Sequence, residues 1–153
     1  MWEECMSSKK LVLIFIAVIF TFSVRIEGQA IGKIIHNKEA RILFGPVVDS
    51  VQINISMLNK MITDTKKVAM FLIKKNKVII KGDKGKILYN QGVSADSTDI
   101  FNVFSISTLK KFLASADSTG AKKVTIQKRS TVMSLSTSDL TLEFGIGCPP
   151  FCD

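Results

Sequence analysis

The sequence predicts an α+β domain of two tandem β-α-β-β-β repeats, with a mainly antiparallel sheet and two short helices on one face. Residues 53–62 align without a gap on residues 104–113. Four positions are identical, namely Ile55 with Ile106, Ser56 with Ser107, Leu58 with Leu109, and Lys60 with Lys111. The tripeptide Lys-Lys-Val then follows each segment, at residues 66–68 and 122–124. A repeat period of about fifty residues is typical of a duplicated supersecondary unit.

The amino-terminal residues 1–30 have the pattern of a secretory signal peptide. Lys9 and Lys10 precede an uncharged apolar run over residues 11–24, and Gly28 and Ala30 are small residues suited to a cleavage site. As a helix the run is about 21 Å long, against about 30 Å for a bilayer core, so a membrane anchor is the less favoured alternative. We therefore expect a secreted or periplasmic protein with no stable membrane span in its mature chain.

The remaining 123 residues are enough for one domain with a hydrophobic core. The predicted signal contains three basic and three acidic residues, so the formal net charge of +8 belongs to the mature part. An excess of this size attracts polyanions such as nucleic acid, anionic lipid or acidic polysaccharide. The alternative is a soluble, positively charged surface with no particular partner.

Residues 31–46 are predicted to form a helical lead-in, with a helix capped by Asn37 and ended by the Gly45-Pro46 pair. The first repeat spans residues 47–90. Alternating residues predict a strand over residues 47–55, and Ser56 is expected to cap a helix with an apolar stripe of Met57, Leu58, Met61 and Ile62. Three strands follow at residues 68–73, 78–81 and 86–89, the last two joined by a turn over residues 82–85.

The second repeat spans residues 99–147 in the same order. A strand over residues 100–106 leads to a helix capped by Ser107, with Leu109, Phe112 and Leu113 directed inward. Alternation of apolar and polar residues then predicts three strands. They cover residues 123–128, 131–136 and 140–146. The duplicated domain therefore occupies residues 47–147.

The tandem order resembles one domain of the DNA sliding clamps that make polymerases processive. The resemblance covers residues 47–144 and rests on the element order, the junctions Ile55-Ser56 and Ile106-Ser107, and a basic residue on each helix. It implies two adjacent helices whose basic faces line a hole for duplex DNA. The cations implied by position contact phosphates without reading bases, and they are Lys60, Lys66, Lys67, Lys110, Lys111, Lys122 and Lys123. Clamp chains usually link two or three such domains into a ring of six, whereas this chain has one.

The tail, residues 148–153, contains Cys148 and Cys152 separated by Pro-Pro-Phe. In an exported protein such a pair is expected to form a disulfide. The alternatives are a thiolate site for Cu(I) and a redox-active pair. His36 is the single histidine and is expected at the surface or at a helix entry, so no metal site is predicted.

No catalytic residue and no cofactor is predicted. Ser107 and Lys110 have Ser-x-x-Lys spacing, but chance accounts for this pair, and Ser107 is already expected to cap a helix. We expect an exported, non-enzymatic binding domain whose partner is a protein or a second copy of the chain, with nucleic acid or another polyanion possible. The alternatives are a clamp-like protein that encircles DNA and a thiol-dependent metal-binding or redox protein that uses the carboxy-terminal cysteines.

Overall fold

The computed structural model describes residues 30–130 and 132–148, which form two antiparallel five-stranded sheets and three helices. The α+β class with mainly antiparallel strands is therefore confirmed. In chain order the strands are β1 (Lys33–His36), β2 (Val47–Asn54), β3 (Val68–Lys74), β4 (Lys77–Lys81), β5 (Ile87–Asn90), β6 (Phe101–Ser105), β7 (Lys123–Arg129), β8 (Met133–Ser136), β9 (Leu140–Glu143) and β10 (Ile146–Cys148). The first sheet has the order β1-β9-β8-β7-β2, and the second has the order β10-β6-β3-β4-β5.

The helices are α1 (Asn37–Phe44), α2 (Ile55–Ile62) and α3 (Ile106–Ser118). Helices α2 and α3 contact each other and pack against strands of both sheets. Their inward residues are fully buried, including Leu58 and Ile62 in α2 and Leu109, Phe112 and Leu113 in α3. The inward positions expected for α3 are therefore confirmed.

Helices α2 and α3 each begin two residues earlier than the sequence predicts. Ser56 and Ser107 are not the caps, because the residues before the first helical turns are Asn54 and Ser105. Ser105 Oγ accepts the Thr108 backbone N–H at 3.3 Å, whereas Asn54 makes no capping bond with its side chain. The first helical residues, isoleucines in both cases, point into the core, and in α2 this shift leaves Met57 37% exposed.

The two halves of the chain are interleaved. Strand β2 pairs with β7, and strand β6 pairs with β3, so each half places its first strand in the sheet of the other. The Ile55 N–H donates to the Lys122 carbonyl at 3.0 Å, and the Ile106 N–H donates to the Lys67 carbonyl at 2.8 Å. These bonds satisfy backbone donors that a helix start leaves open. A single hydrophobic core between the sheets and helices α2 and α3 results.

A second apolar cluster covers the opposite face of the second sheet. It contains Met70, Leu72, Ile79, Phe101 and Val103, with residues 31, 93 and 95 packed over it. Strand β3 is consequently buried on both faces, which explains its continuous apolar sequence.

Two departures from the predicted strands concern the first sheet. Strand β1 lies in the segment predicted to be a helical lead-in, where it pairs with β9 at the edge of the sheet. The strand expected over residues 140–146 divides into β9 and β10, which belong to different sheets. The division occurs at Phe144, with φ of 60°, and Gly145, which lies against the Phe104 ring.

Helix α1 ends where the sequence predicts, at Phe44 before Gly45, whose φ of 75° permits the left-handed turn, but it begins one residue earlier than predicted. The N-cap position of α1 is occupied by the exposed His36, so Asn37 is not the cap. Asn37 instead donates to the Thr137 and Ser138 carbonyls at 2.9 and 2.8 Å. These bonds hold α1 over β9, on the face of the first sheet opposite to α2 and α3.

Several predictions fall outside the described residues. They include nearly all of the signal peptide, the residues after Cys148 in the tail, and Thr131, which was expected to begin a strand. Within the described ranges, no helix is long and apolar enough to cross a membrane.

Candidate functional site

The lysines implied by position lie on and around the two adjacent helices. Lys60 is in the last turn of α2, and Lys110 and Lys111 are in the second turn of α3. Lys122 immediately precedes β7 and Lys123 begins it, and this strand start lies beside the first turn of α2. Lys66 and Lys67 immediately precede β3, whose start lies beside the first turn of α3. All seven are exposed, and together they define the basic surface.

None of the seven ammonium groups of the basic surface forms a close ion pair within the described residues, although Asp83 lies near enough to Lys67 to interact with its charge. Ion pairs are formed instead by Lys74, with Asp96 and Asp99, and by Arg129, with Glu143. A group of solvated cations with few close counter-ions leaves most of its positive potential available to a partner.

Asp83 fixes the backbone at one end of the basic surface. Its Oδ2 accepts the Lys66 N–H at 2.7 Å, and its Oδ1 accepts the Lys67 and Val68 N–H groups at 3.0 Å each. Burial raises the pKa of Asp83, but these three bonds outweigh it and hold the pKa below its ordinary value. The sequence predicts only a turn over residues 82–85, and the bonds from the Asp83 carboxylate to a distant strand have no local sequence signal.

Lys74 belongs to a separate region. Its Nζ lies 2.7 Å from both Asp96 Oδ2 and Asp99 Oδ2, which attaches the connection between β5 and β6 to the end of β3. An open cleft of about 630 Å³ passes this point and is lined by cations and carboxylates, including Lys75, Lys128 and Asp49. Because both signs of charge border it, the cleft has no clear charge preference.

A buried polar cluster lies under α1 on the outer face of the first sheet. Arg129 is 5% exposed and Glu143 is fully buried, with Arg129 Nε 3.4 Å from Glu143 Oε1. Arg129 Nη1 donates to the Gly45 carbonyl, and Nη2 donates to Gln127 Oε1 at 3.1 Å. Burial raises the pKa of Glu143 to about 7, against the opposing effects of Ser134 and Arg129.

A cavity of about 330 Å³ opens beside this cluster. Its lining residues are Asn37, Arg41, Pro46, Val47, Gln127, Arg129 and Ser136. The Ser136 hydroxyl is buried and has no hydrogen-bond partner among the described residues. Sequence reasoning missed this site, because strand alternation places these polar residues on the face away from the core, where solvent is expected. Only the position of α1 buries them.

The described residues do not bring together a catalytic or metal-binding group from the other predicted candidates. Ser107 Oγ lies 3.2 Å from Ser105 Oγ, at the start of α3. No cluster of three or more histidine, cysteine, aspartate or glutamate residues occurs in the described part of the chain. The backbone of Cys148 pairs with Phe101 in β10, but its side chain and Cys152 lie outside the described residues. The disulfide therefore stays a prediction.

Comparison with protein-family models, with curated proteins and with solved structures finds no match to this chain.

Proposed function

We propose that the protein is an exported, non-enzymatic binding domain whose basic surface engages a macromolecular partner with a dense array of negative charge. The observation that carries this proposal is the placement of seven exposed lysines, none in a close ion pair within the described residues, on two adjacent helices and the strand starts beside them. Such groups attract phosphates or carboxylates at long range and release counter-ions on binding. Export rests on the pattern of residues 1–30.

The proposal includes a duplicated unit, β2-α2-β3-β4-β5 followed by β6-α3-β7-β8-β9. Its support is the aligned sequence together with the reciprocal bonds of the first helical residues, Ile55 to Lys122 and Ile106 to Lys67. Duplication accounts for the matched exposed lysines Lys60 and Lys111, because each copy of the unit presents a cation at the same helical position. Two matched cations side by side make a wider binding surface than either helix alone.

The test compares two variants with the same loss of charge. The first replaces Lys60, Lys110 and Lys111 with glutamine, and the matched control replaces lysines away from the basic surface, Lys38, Lys77 and Lys128, which are also exposed. Binding of a fluorescent duplex DNA and of heparin is measured by anisotropy at several salt concentrations. In the first variant we expect the magnitude of the slope of log affinity against log salt concentration to decrease by about 2–3. In the control it should decrease by less. If the slope changes equally in both variants, binding depends only on the net charge of the protein, and this result would contradict the proposed surface.

A second candidate is a clamp-like ring that encircles DNA. The contact between α2 and α3, with exposed lysines on both helices, favours it, because the resemblance implies such a pair of helices along the hole. With one such domain per chain, a ring of six requires six copies. The solution mass by light scattering after size exclusion tests this directly. A mass six times that of the monomer supports encirclement, and a monomer excludes the ring while leaving the binding domain in place.

A further inference from the structure

The cavity under α1 is bordered by side-chain hydrogen-bond donors, one of which is buried without an acceptor among the described residues. The Ser136 side chain is 3% exposed, and its hydroxyl has no partner among the described residues. Arg129 Nε makes no hydrogen bond of good geometry, but it lies 3.4 Å from Glu143 Oε1, so that nitrogen is directed to an ion pair and not left for a ligand. Gln127 Oε1 accepts from Arg129, which leaves the Gln127 amide nitrogen free to donate. Arg41, in the last turn of α1, adds an exposed guanidinium without a described carboxylate partner.

The acceptors around the cavity are already used. Asn37 Oδ1 accepts the Thr141 hydroxyl, and its amide nitrogen donates to two backbone carbonyls, so Asn37 forms a wall and is not a free ligand group. Of the seven described residues that line the cavity, none carries a carboxylate. Glu143 is not among them, although it contacts Arg129. The cavity therefore presents hydrogen-bond donors to an occupant, together with the positive charge of Arg41, whereas the charge of Arg129 is matched by Glu143 behind it.

We propose that this cavity binds a small oxyanion, a carboxylate or phosphate group, between Arg41, Arg129 and Ser136. Buried donors without a partner are costly, and an oxyanion supplies several acceptor oxygens at once. Guanidinium groups are suited to planar carboxylates and to phosphates. A volume of about 330 Å³ is near the lower end for ligand sites, which indicates a small ligand.

This site is distinct from the basic surface. The basic surface belongs to α2, α3 and the starts of β3 and β7, whereas the cavity lies between α1 and the outer face of the first sheet. An oxyanion bound there bridges α1 to β7 and β8. The bound oxyanion therefore also stabilises the attachment of α1 to the first sheet.

The experiment titrates inorganic phosphate and, separately, acetate into the full chain by calorimetry at constant ionic strength. Ser136→Ala removes a hydroxyl without a described partner, so the fold should persist, and Arg41→Gln removes the exposed guanidinium. The matched control is Lys38→Gln, which loses the same charge from α1 at an exposed position outside the cavity. We expect saturable binding of at least one anion, weakened about tenfold by each cavity variant and unchanged by the control.

The two anions separate the possible ligand classes. Saturation by phosphate alone indicates a phosphoryl ligand, and saturation by acetate alone or by both indicates a site that accepts carboxylates. Absence of saturable binding for both anions overturns the proposal. Equal weakening by Lys38→Gln and Arg41→Gln also overturns it, because the effect would then come from net charge.

Discussion

Arg129 and Glu143 are buried against each other beneath α1, with Arg129 Nε 3.4 Å from Glu143 Oε1. Neither carboxylate oxygen has a hydrogen bond of good geometry to the described residues. An incompletely paired carboxylate in a buried place favours its neutral form, and burial accordingly raises the pKa of Glu143 to about 7. The protonation of one side chain is therefore linked to folding near neutral pH.

Stability should fall as the pH rises from about 4.5 to about 7. In this window folded Glu143 keeps its proton, while the unfolded residue, with its ordinary pKa of 4.5, has lost it. Folding is thus favoured below the window and loses this contribution as the pH rises through it, by about 3 kcal/mol. Urea unfolding at a series of pH values measures the slope.

Glu143→Gln should remove this pH dependence, because the amide does not titrate. The matched control is Asp64→Asn, which neutralises an exposed carboxylate without a described partner and should keep the wild-type slope. An unchanged slope in Glu143→Gln would show that another group is responsible.

Asp83→Asn should destabilise the protein by about 1–2 kcal/mol, because an amide nitrogen would replace one of the two oxygens that accept backbone N–H bonds. The pKa of Asp83 is lowered from 3.8 in the folded state, so its contribution is present above that value and is lost as the pH falls through the folded pKa. The difference between variant and wild type should therefore be constant near neutral pH and shrink in acid. A difference that persists at low pH would point to packing instead of the carboxylate. Chemical denaturation at several pH values measures this difference in stability, again with Asp64→Asn as the control.

Gly145→Ala should cost about 1–3 kcal/mol through overpacking. A Cβ atom at this position would lie 2.9 Å from Phe104 Cζ and 3.1 Å from the Val103 carbonyl oxygen. Gly147→Ala is the matched control, because its Cβ would meet only an Ile100 methyl group at 3.2 Å. The thermal unfolding temperatures of the two variants are compared. Equal stability would contradict the close approach of Gly145 to Phe104 and Val103, at the point where the chain changes sheets.

The predicted disulfide between Cys148 and Cys152 is checked by the intact mass after alkylation without reductant. We expect no alkylated cysteine in the mature chain, and two after reduction, because exported cysteine pairs are normally oxidised. Two alkylated residues in the unreduced protein would instead favour the metal-binding or redox alternatives. Reductant should have little effect on stability, since so short a loop restrains the unfolded chain weakly.

Local sequence patterns predicted the secondary structure well where one face of an element meets the core. The end of α1 follows from Gly45 and its positive φ, and the inward residues of α3 follow from helical periodicity. Helix starts were less accurate, since the carbonyls of Lys67 and Lys122 satisfy the first N–H groups of the helices from the other half of the chain. Such distant partners leave no local signal.

The amino-acid sequence by itself determined the alternation of strands and helices, the α+β class, and the exposure of the basic lysines, because periodicity and charge act through each residue's own preference for water or core. Tertiary structure alone decided the division into two sheets, the break at Gly145, and the burial of Arg129 and Glu143. Those features depend on which segments meet in space. A polar residue on the outer face of a strand is solvated or buried according to whether another element, here α1, packs over it.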